Sequence, residues 1–540
     1  MFPPRFGRLL ILLWVGLCLA CALRIYGYYH PDEFGQIVSF YLMKLGAIPA
    51  DELPWEYEAR MRPWLQPALY YVLLLPVYAV TGFRHLLFET ITQLVQFSFV
   101  VGCLPLFLYL IDPARSGGLL RDMPSRMFAL FMATLWFVPL MVVRHSSEAF
   151  SIVLMVAGLY CWRRGSDPET DHSNSRTVLV LALLAGICAG LSAWVRFQLG
   201  LFWAAFFLVA LAYDRLAPRV IPRYATAFAG IVLSIGFALL VDRWGYGEWT
   251  FPPWNYFDHN IIQDVSSGFG TEPWHWYFKQ ATDFMVTPLF LLILARAIWV
   301  ARVDAFLGAV SAGLAAFVIL HSLVPHKEIR FLLPMIAPVA LLLFHLHTRP
   351  RDSEPSRWWK RAQVAHWALA IAVNLIAFGV TFYIRGVREK YQVSHSLWNA
   401  PHGTRVFTYS NMFWVFDQNH EEPEKLRWEG AMEPWIRPPF IRLEYMRVEG
   451  HAAACRRHPD SLVLHSMAEK IPAELKERLA APPKSDLMVD LNMPAYSRFP
   501  DLWWKRRFRE LYDTHWRYKL VRCRDYLEFL ENPGSETDSK

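Results

Sequence analysis

The strongest constraint in this sequence is a recurring apolar block of about 17–22 residues, the length a helix needs to cross a bilayer. Such blocks fall near 9–25, 90–111, 127–143, 149–162, 177–193, 199–213, 224–241, 284–300, 306–323, 330–347 and 363–385. Inside hydrocarbon each segment must satisfy its own backbone polar groups, so blocks of this kind fold as helices. Only 19% of the 540 residues are charged and 54% are hydrophobic, whereas a soluble protein carries about 25% charged residues. The expectation is an all-α polytopic membrane protein with about eleven transmembrane helices.

The connections give the orientation. Arg5 and Arg8 precede the first block. Arg115, Arg121 and Arg126, then Arg163, Arg164 and Arg176, then Arg215, Arg219 and Arg223, then Arg302, and finally the run from Arg349 to Arg361 mark every second connection after it. Basic connections face the cytoplasm. The non-cytoplasmic side then receives the long loops 26–63 and 242–282, the short connections 144–148, 192–198 and 326–330, and everything after about 386. A further apolar stretch, 64–81, cannot cross together with 90–111 without breaking this alternation. Pro67 and Pro76 make it the one expected not to span fully. The stretch up to Arg8 followed by Leu9–Ala22 also looks like a secretory signal, but no small-x-small cleavage site follows, so it reads as a retained first helix. The net charge of +7 is spread over these connections, and no basic run accompanies a nucleic-acid-binding signature, so no nucleic-acid partner is expected.

Residues 1–385 thus read as a transmembrane domain and 386–540 as a soluble, mixed α/β domain on the non-cytoplasmic side. In the latter charge rises, Pro434, Pro438, Pro439, Pro482 and Pro483 interrupt the chain, and short β-like runs occur at 404–410, 440–448 and 461–465. The last residues, 534–540, read as disordered. Of seven cysteines, none has metal-ligand spacing. Cys455 and Cys523 share the C-terminal part, where a disulfide between them is possible but not dictated.

Against this frame, polar residues cluster on one side. Asp32 and Glu33, in Tyr28-Tyr29-His30-Pro31-Asp32-Glu33, lie just beyond the first block, where an acidic pair is costly unless it meets water, a cation or a substrate. A helix cap is the plainer reading of the pair taken alone. Arg144-His145-Ser146-Ser147-Glu148 reads as a helix cap, and Arg196-Phe197-Gln198 as a snorkelling arginine. The loop containing Trp254, Asn255, Asn260, Trp274, His275 and Tyr277 has two readings of equal weight. It is an interfacial aromatic belt, or a sugar platform in which rings stack and Asn and His bind hydroxyls. His326-Lys327-Glu328-Ile329-Arg330 puts four ionisable groups in five residues between two blocks. Such groups mark an ion path or an anionic ligand, and Lys327 and Arg330 suit a phosphate.

Taken together, Tyr29-His30-Pro31-Asp32-Glu33, Arg62-Pro63-Trp64, Asp242 with Tyr246-Gly247, Asn255 and Asn260, Gly270-Thr271-Glu272-Pro273-Trp274-His275-Trp276-Tyr277 and His326-Lys327-Glu328-Ile329-Arg330-Phe331 resemble glycosyltransferase family 22. These are the mannosyltransferases of N-glycan and glycosylphosphatidylinositol (GPI) anchor assembly. The resemblance runs from about 28 to 340 in the family's order, with Ile329 where the family carries Glu. It implies a GT-C fold. It also implies inverting transfer of mannose from a dolichyl- or polyprenyl-phosphate-mannose donor to a lipid-linked glycan acceptor, giving an α-mannoside. The active site would lie on the lumenal or periplasmic face, in the endoplasmic reticulum of a eukaryote or the plasma membrane of a prokaryote. The family's acidic motif maps onto Asp32 and Glu33.

Inverting transfer needs a base on the acceptor hydroxyl. Asp32 is the candidate, with Glu33 orienting the acceptor or supporting Asp32. The leaving phosphate must have its charge stabilised, for which Lys327, Arg330, His326 and Arg196 are candidates. Trp254, Asn255, Asn260, Trp274, His275 and Tyr277 are the candidate sugar and acceptor contacts. No cofactor and no metal are expected. The rival readings are another polyprenyl-phosphate-sugar transferase of the same fold, a non-enzymatic lipid or glycan transporter, and a membrane scaffold carrying an exported interaction domain.

Overall fold

The structure, a computed structural model, describes residues 5–24, 31–48, 50, 53–82, 85–111, 122–167, 175–348, 356–384, 405–408, 442–445, 448–466, 489–490, 518–524 and 527. Tyr28, Tyr29, His30, Arg115, Arg121, Arg349, Arg351, the five C-terminal prolines and residues 534–540 lie outside the described residues. The chain divides into two units. The first comprises Met1–Arg24, Trp55–Val80 and Thr90–Val380, and the second Ile25–Pro54, Thr81–Glu89 and Thr381–Lys540.

The helices of the transmembrane part are α1 (Arg5–Arg24), α2 (Leu65–Thr81), α3 (His85–Ile111), α4 (Met123–Thr134), α5 (Ser147–Gly165), α6 (Ser175–Val195), α7 (Leu199–Tyr213), α8 (Ile221–Tyr246), α9 (Trp276–Phe284), α10 (Leu289–Ala301), α11 (Ala305–Leu323), α12 (Ile336–Thr348) and α13 (Arg357–Ile384). Their ends follow local chemistry. Asp122 accepts a hydrogen bond from the Ser125 amide, Ser146 from that of Ala149 and Asp304 from that of Leu307, which satisfies orphan donors at the starts of α4, α5 and α11. Gly247, at φ 81°, closes α8 in the left-handed conformation that a side chain disfavours.

Among the described residues, seven helical stretches are long and apolar enough to cross a membrane, and the α9–α10 pair makes an eighth if counted as one span. That pair bends by 104° at a break, where Val286 takes φ 74°. The expected block 284–300 is therefore not one straight helix. The block at 149–162 lies within α5, whose ends carry Glu148, Arg163 and Arg164. Three shorter apolar helices cover Gly7–Leu23, Leu65–Thr81 and Leu199–Tyr213. The outward faces suit lipid: Leu208, Phe228, Leu292 and Ile376 are all exposed.

Two helix pairs approach closely because glycine lets them. A Cβ on Gly186 of α6 would lie 1.9 Å from the Ala227 carbonyl of α8, and one on Gly230 of α8 would lie 2.4 Å from the Leu183 carbonyl of α6. On the α7–α11 side, Gly313 faces the Phe202 ring, which a Cβ would meet at 2.7 Å. Small residues at such crossings supply the close packing that drives helix association in lipid. At the end of α8, the buried Asp242 carboxylate accepts the Trp64 amide at 2.7 Å and the Trp194 indole N–H at 2.8 Å. It thereby fixes the segment before α2 and the end of α6 to one point.

In the second unit, Pro31–Glu33 starts a helical run that continues as a π-helix over Phe34–Val38 and returns to α-helix over Ser39–Lys44. Further along, strands β1 (Arg405–Thr408), β2 (Arg442–Tyr445), β3 (Leu462–Ser466), β4 (Val489–Asp490) and β5 (Tyr518–Arg522) pair in the order β2-β1-β3-β5-β4. β1 is parallel to β2 and β3, while β5 is antiparallel to β3 and β4. Helix α14 (Val448–Arg457) is joined by the Cys455–Cys523 disulfide to the residue after β5.

Candidate active site

In the first unit the polar residues of three connections meet. Ser146 caps α5, as the sequence suggests, and this sets Glu148 in the first helical turn. The Glu148 carboxylate is almost completely buried (2% exposed). Its Oε1 lies 3.0 Å from Arg196, which follows α6, and 3.9 Å from Arg330, in the 3₁₀ turn that leads into α12. Arg330 in turn grips Glu328 through a two-pronged contact, Nε to Oε2 at 2.5 Å and Nη2 to Oε1 at 3.1 Å. Both guanidinium groups approach the Phe331 ring, at 5.0 Å for Arg196 and 5.5 Å for Arg330. Their side chains are only 7% and 9% exposed. Each guanidinium is a planar, multi-donor group of the kind suited to a phosphate.

His326 faces two acceptors, with Nδ1 2.9 Å from the Gly270 carbonyl and Nε2 3.1 Å from the Glu328 carboxylate. A neutral imidazole donates from only one nitrogen, so satisfying both favours the imidazolium. The Glu328 contact accordingly raises the His326 pKa above its usual value, against a smaller opposing effect of burial. Lys327 donates to the carbonyls of Glu272 at 2.7 Å and Pro325 at 3.3 Å, and to that of Val324. Burial lowers its pKa. With three carbonyls around one ammonium, Lys327 serves as a clasp between loops. The Glu272 amide donates back to the Pro325 carbonyl at 2.9 Å, and Gly270 makes the turn at φ 105°.

The sequence-expected cations Arg196, His326, Lys327 and Arg330 are thus brought together in one unit. The aromatic loop behaves differently. Trp254 and Trp274 are 57% and 66% exposed. The Asn255 amide donates to the Arg60 carbonyl and to Thr250, and the Asn260 amide to the Tyr256 carbonyl. His275 precedes α9, and Tyr277 is buried in its first turn. Asp32 and Glu33 lie in the second unit, in the first turn of the helical run 31–44 and not in a loop; Glu33 is buried and Asp32 half-buried.

Sequence reading missed Glu148 as the common partner of the two arginines, because the cap explains its local pattern fully. It singled out Gln198 and Asp242 but not their partners: Gln198 donates to the Tyr256 hydroxyl at 2.8 Å, and Asp242 is the anchor described above.

The molecule so defined is a multi-pass, mainly helical membrane protein with a buried, arginine-lined polar site. Its fold is that of ArnT from Cupriavidus metallidurans, solved bound to undecaprenyl phosphate, with a TM-score of 0.53 at 11% identity over 96% of this chain and 97% of that one. The chain belongs to the Alg9-like mannosyltransferase family, whose model matches residues 8–395. It is similar to the mannosyltransferase APTG1 of Arabidopsis thaliana, 28% identical over 63% of this chain and 59% of that one. It is also similar to GPI alpha-1,2-mannosyltransferase 3 of Xenopus laevis, 27% identical over 44% and 40%, and to GPI mannosyltransferase 3 of Gibberella zeae, 22% identical over 66% and 63%. The chain therefore spans less than two thirds of each of these relatives.

Proposed function

We propose that this chain is an inverting α-mannosyltransferase. It moves mannose from a dolichyl- or polyprenyl-phosphate-mannose to a lipid-linked glycan, of GPI or oligosaccharide type, on the non-cytoplasmic face. The membrane is the endoplasmic reticulum in a eukaryote and the plasma membrane in a prokaryote. The observation that carries this reading is the buried Glu148–Arg196–Arg330 cluster with His326 at its edge, in a chain of the Alg9-like family. About eleven crossings, a 1–385 membrane domain and a non-cytoplasmic 386–540 mixed α/β domain belong to the same reading. The Cys455–Cys523 disulfide supports the last of these, since disulfides persist in oxidising compartments.

In the reaction the bond from mannose C1 to the donor phosphate oxygen breaks as an acceptor hydroxyl attacks C1 from the opposite face. Asp32 takes the hydroxyl proton, with Glu33 orienting the acceptor or supporting Asp32. Arg330, Arg196 and His326 hold the phosphate as its charge grows. Arg330 can give up its half-buried partner Glu328 to do so, while Lys327 keeps the 324–328 loop in place. Trp254, Asn255, Asn260, Trp274, His275 and Tyr277 supply sugar and acceptor contacts.

The test is transfer of labelled mannose from synthetic polyprenyl-phosphate-mannose by purified protein to a panel of lipid-linked mannosides and GPI-like glycans. Asp32→Asn is expected to abolish transfer with donor binding intact, and Arg330→Ala to weaken donor binding. Near-normal turnover by Asp32→Asn removes Asp32 from the base role. Absence of both binding and transfer in the unaltered protein overturns the reading.

A further inference from the structure

The short turn between α6 and α7 carries two polar side chains with different neighbours. Arg196 pairs with Glu148, while Gln198, two residues on, donates through its amide to the Tyr256 hydroxyl at 2.8 Å. Tyr256 sits in the short helix Pro252–Phe257, and two groups fix its ring. The Phe197 ring meets it edge-on at 5.6 Å, and the Arg62 guanidinium lies 5.3 Å from its centroid. Arg62 is itself anchored, through its side chain to Glu56 at 2.6 Å and through its carbonyl, which accepts from the Tyr246 hydroxyl at 2.6 Å.

A phenol oxygen that accepts from an amide still has its own hydrogen to give, and the carbonyl oxygen of that amide still accepts. Among the described residues neither side chain has a further hydrogen-bond partner, and both are only half-buried, within reach of a ligand. Turning the amide over exchanges the two roles and leaves the same set, one donor beside one acceptor. Neighbouring hydroxyls of a sugar ring match that set, because a hydroxyl both gives and accepts a hydrogen. The amides of Asn255 and Asn260, by contrast, are already engaged by the carbonyls of Arg60 and Tyr256. The pair also adjoins the cations without adding charge: Tyr277 lies within electrostatic reach of Glu328, Arg196 and Tyr256 alike. A sugar joined to a phosphate through C1 is a neutral body beside an anion, and it calls for neutral polar groups beside cations.

We infer that Gln198 and Tyr256 together read the C2 and C3 hydroxyls of the sugar on the donor phosphate, and thereby set which sugar is transferred. The inference rests on the mannosyl-lipid reading above. Arg62, through its hold on the Tyr256 ring, is a positioning residue for the same contact.

Binding to the full-length protein in nanodiscs tests it with three lipids: polyprenyl-phosphate-mannose, the glucose analogue, which differs in configuration at C2 alone, and polyprenyl phosphate without sugar. Tyr256→Phe and Gln198→Leu are each expected to weaken the mannosyl lipid about fivefold, what one neutral hydrogen bond contributes. Both should narrow its advantage over the glucose analogue and leave polyprenyl phosphate unchanged. Equal loss on polyprenyl phosphate would make the pair a support for Arg196, and no loss on any lipid would make it a tie between two connections. Either result overturns the inference. Deoxygenated donors ask the same question of the unaltered protein, should a variant not fold. Removing the C2 or the C3 hydroxyl is expected to weaken binding about fivefold, and in a folded variant to cost little more, a pattern that a purely structural role does not produce. Binding indifferent to both positions overturns the assignment. If the unaltered protein binds none of these lipids, the mannosyl-lipid reading fails and this inference with it. Sound binding of the mannosyl lipid with indifferent variants strikes only the role of Gln198 and Tyr256.

Discussion

A carboxylate held between two guanidinium groups determines what its own removal does. Glu148→Gln keeps the shape and leaves Arg196 and Arg330 buried without that anion. Breaking a buried ion pair from one side costs about 3–5 kcal/mol, so the purified variant is expected to melt well below the unaltered protein. Because a bound anion stabilises the folded state by mass action, polyprenyl phosphate should recover more of the melting temperature in Glu148→Gln than it adds to the unaltered chain. Equal melting of the two proteins would show that Glu148 is not the counter-ion. His326 gives a pH dependence of definite sign. Its pKa is raised in the folded protein, chiefly by Glu328, so its contribution to stability is fully present below the usual histidine value near 6.5. That contribution fades as pH rises through the raised value. Melting temperatures of the unaltered protein and His326→Gln should therefore differ most near pH 5 and converge as pH rises past the raised value, and a constant gap would remove the imidazolium from the account. At this scale the run His326-Lys327-Glu328-Ile329-Arg330 stood out as four ionisable groups in five residues between two apolar blocks, while the clasp that Lys327 makes and the grip of Arg330 on Glu328 were not visible. Nor was the pairing of residues 148, 196 and 330. It joins positions far apart in the chain, and each local pattern (a cap, a snorkelling arginine) is complete without the others.

Helix by helix, the apolar blocks announced most of the membrane segments, because in lipid the backbone leaves a long apolar stretch little alternative to a helix. The break between α9 and α10 was not legible: the apolar run starts at its edge, and the turn there, with Val286 in the left-handed region and Pro288 at the start of α10, leaves no mark in hydrophobicity. Likewise Asp32 and Glu33, for which a helix cap was the plainer reading within the long 26–63 connection, start a helical run whose Phe34, Ile37 and Val38 are buried. Which glycines matter also depends on partners in other helices. Gly186 of α6 lies against the backbone of α8, so Gly186→Ala must push two helices apart, at a cost of about 1–3 kcal/mol or more. Gly236, in the middle of α8, has nothing within 4 Å of an added Cβ. There Gly236→Ala should be neutral or should stabilise by up to about 1 kcal/mol through helix propensity. Melting curves of the two variants side by side check the contrast, and equal effects would contradict the close α6–α8 crossing.

For the whole molecule, the cysteines offer a test of the side of the membrane that the proposed function assigns to the C-terminal residues. Cys18, Cys21, Cys103, Cys161 and Cys188 are free, and all five lie in α1, α3, α5 and α6. The two remaining cysteines, 455 and 523, are joined across a separation of 68 residues. Closing a loop of that length removes enough chain entropy from the unfolded state to stabilise the folded one by about 4 kcal/mol on the loop-entropy model. Such a bond forms and persists only where the surroundings are oxidising. The proposed reading puts residues after about 386 on the side away from the cytoplasm from the alternation of basic connections, by an argument that uses no cysteine at all. The two lines of reasoning are independent and meet in one experiment. Protein denatured straight from its native membrane under alkylating conditions is expected to bind maleimide at five cysteines, and at all seven after reduction. Cys455→Ser should then expose Cys523 as a sixth reactive thiol without reductant. Seven reactive cysteines before reduction would place the C-terminal residues in a reducing compartment. The orientation read from the arginines would then be inverted, and a catalytic face opposite the cytoplasm would have to be abandoned with it.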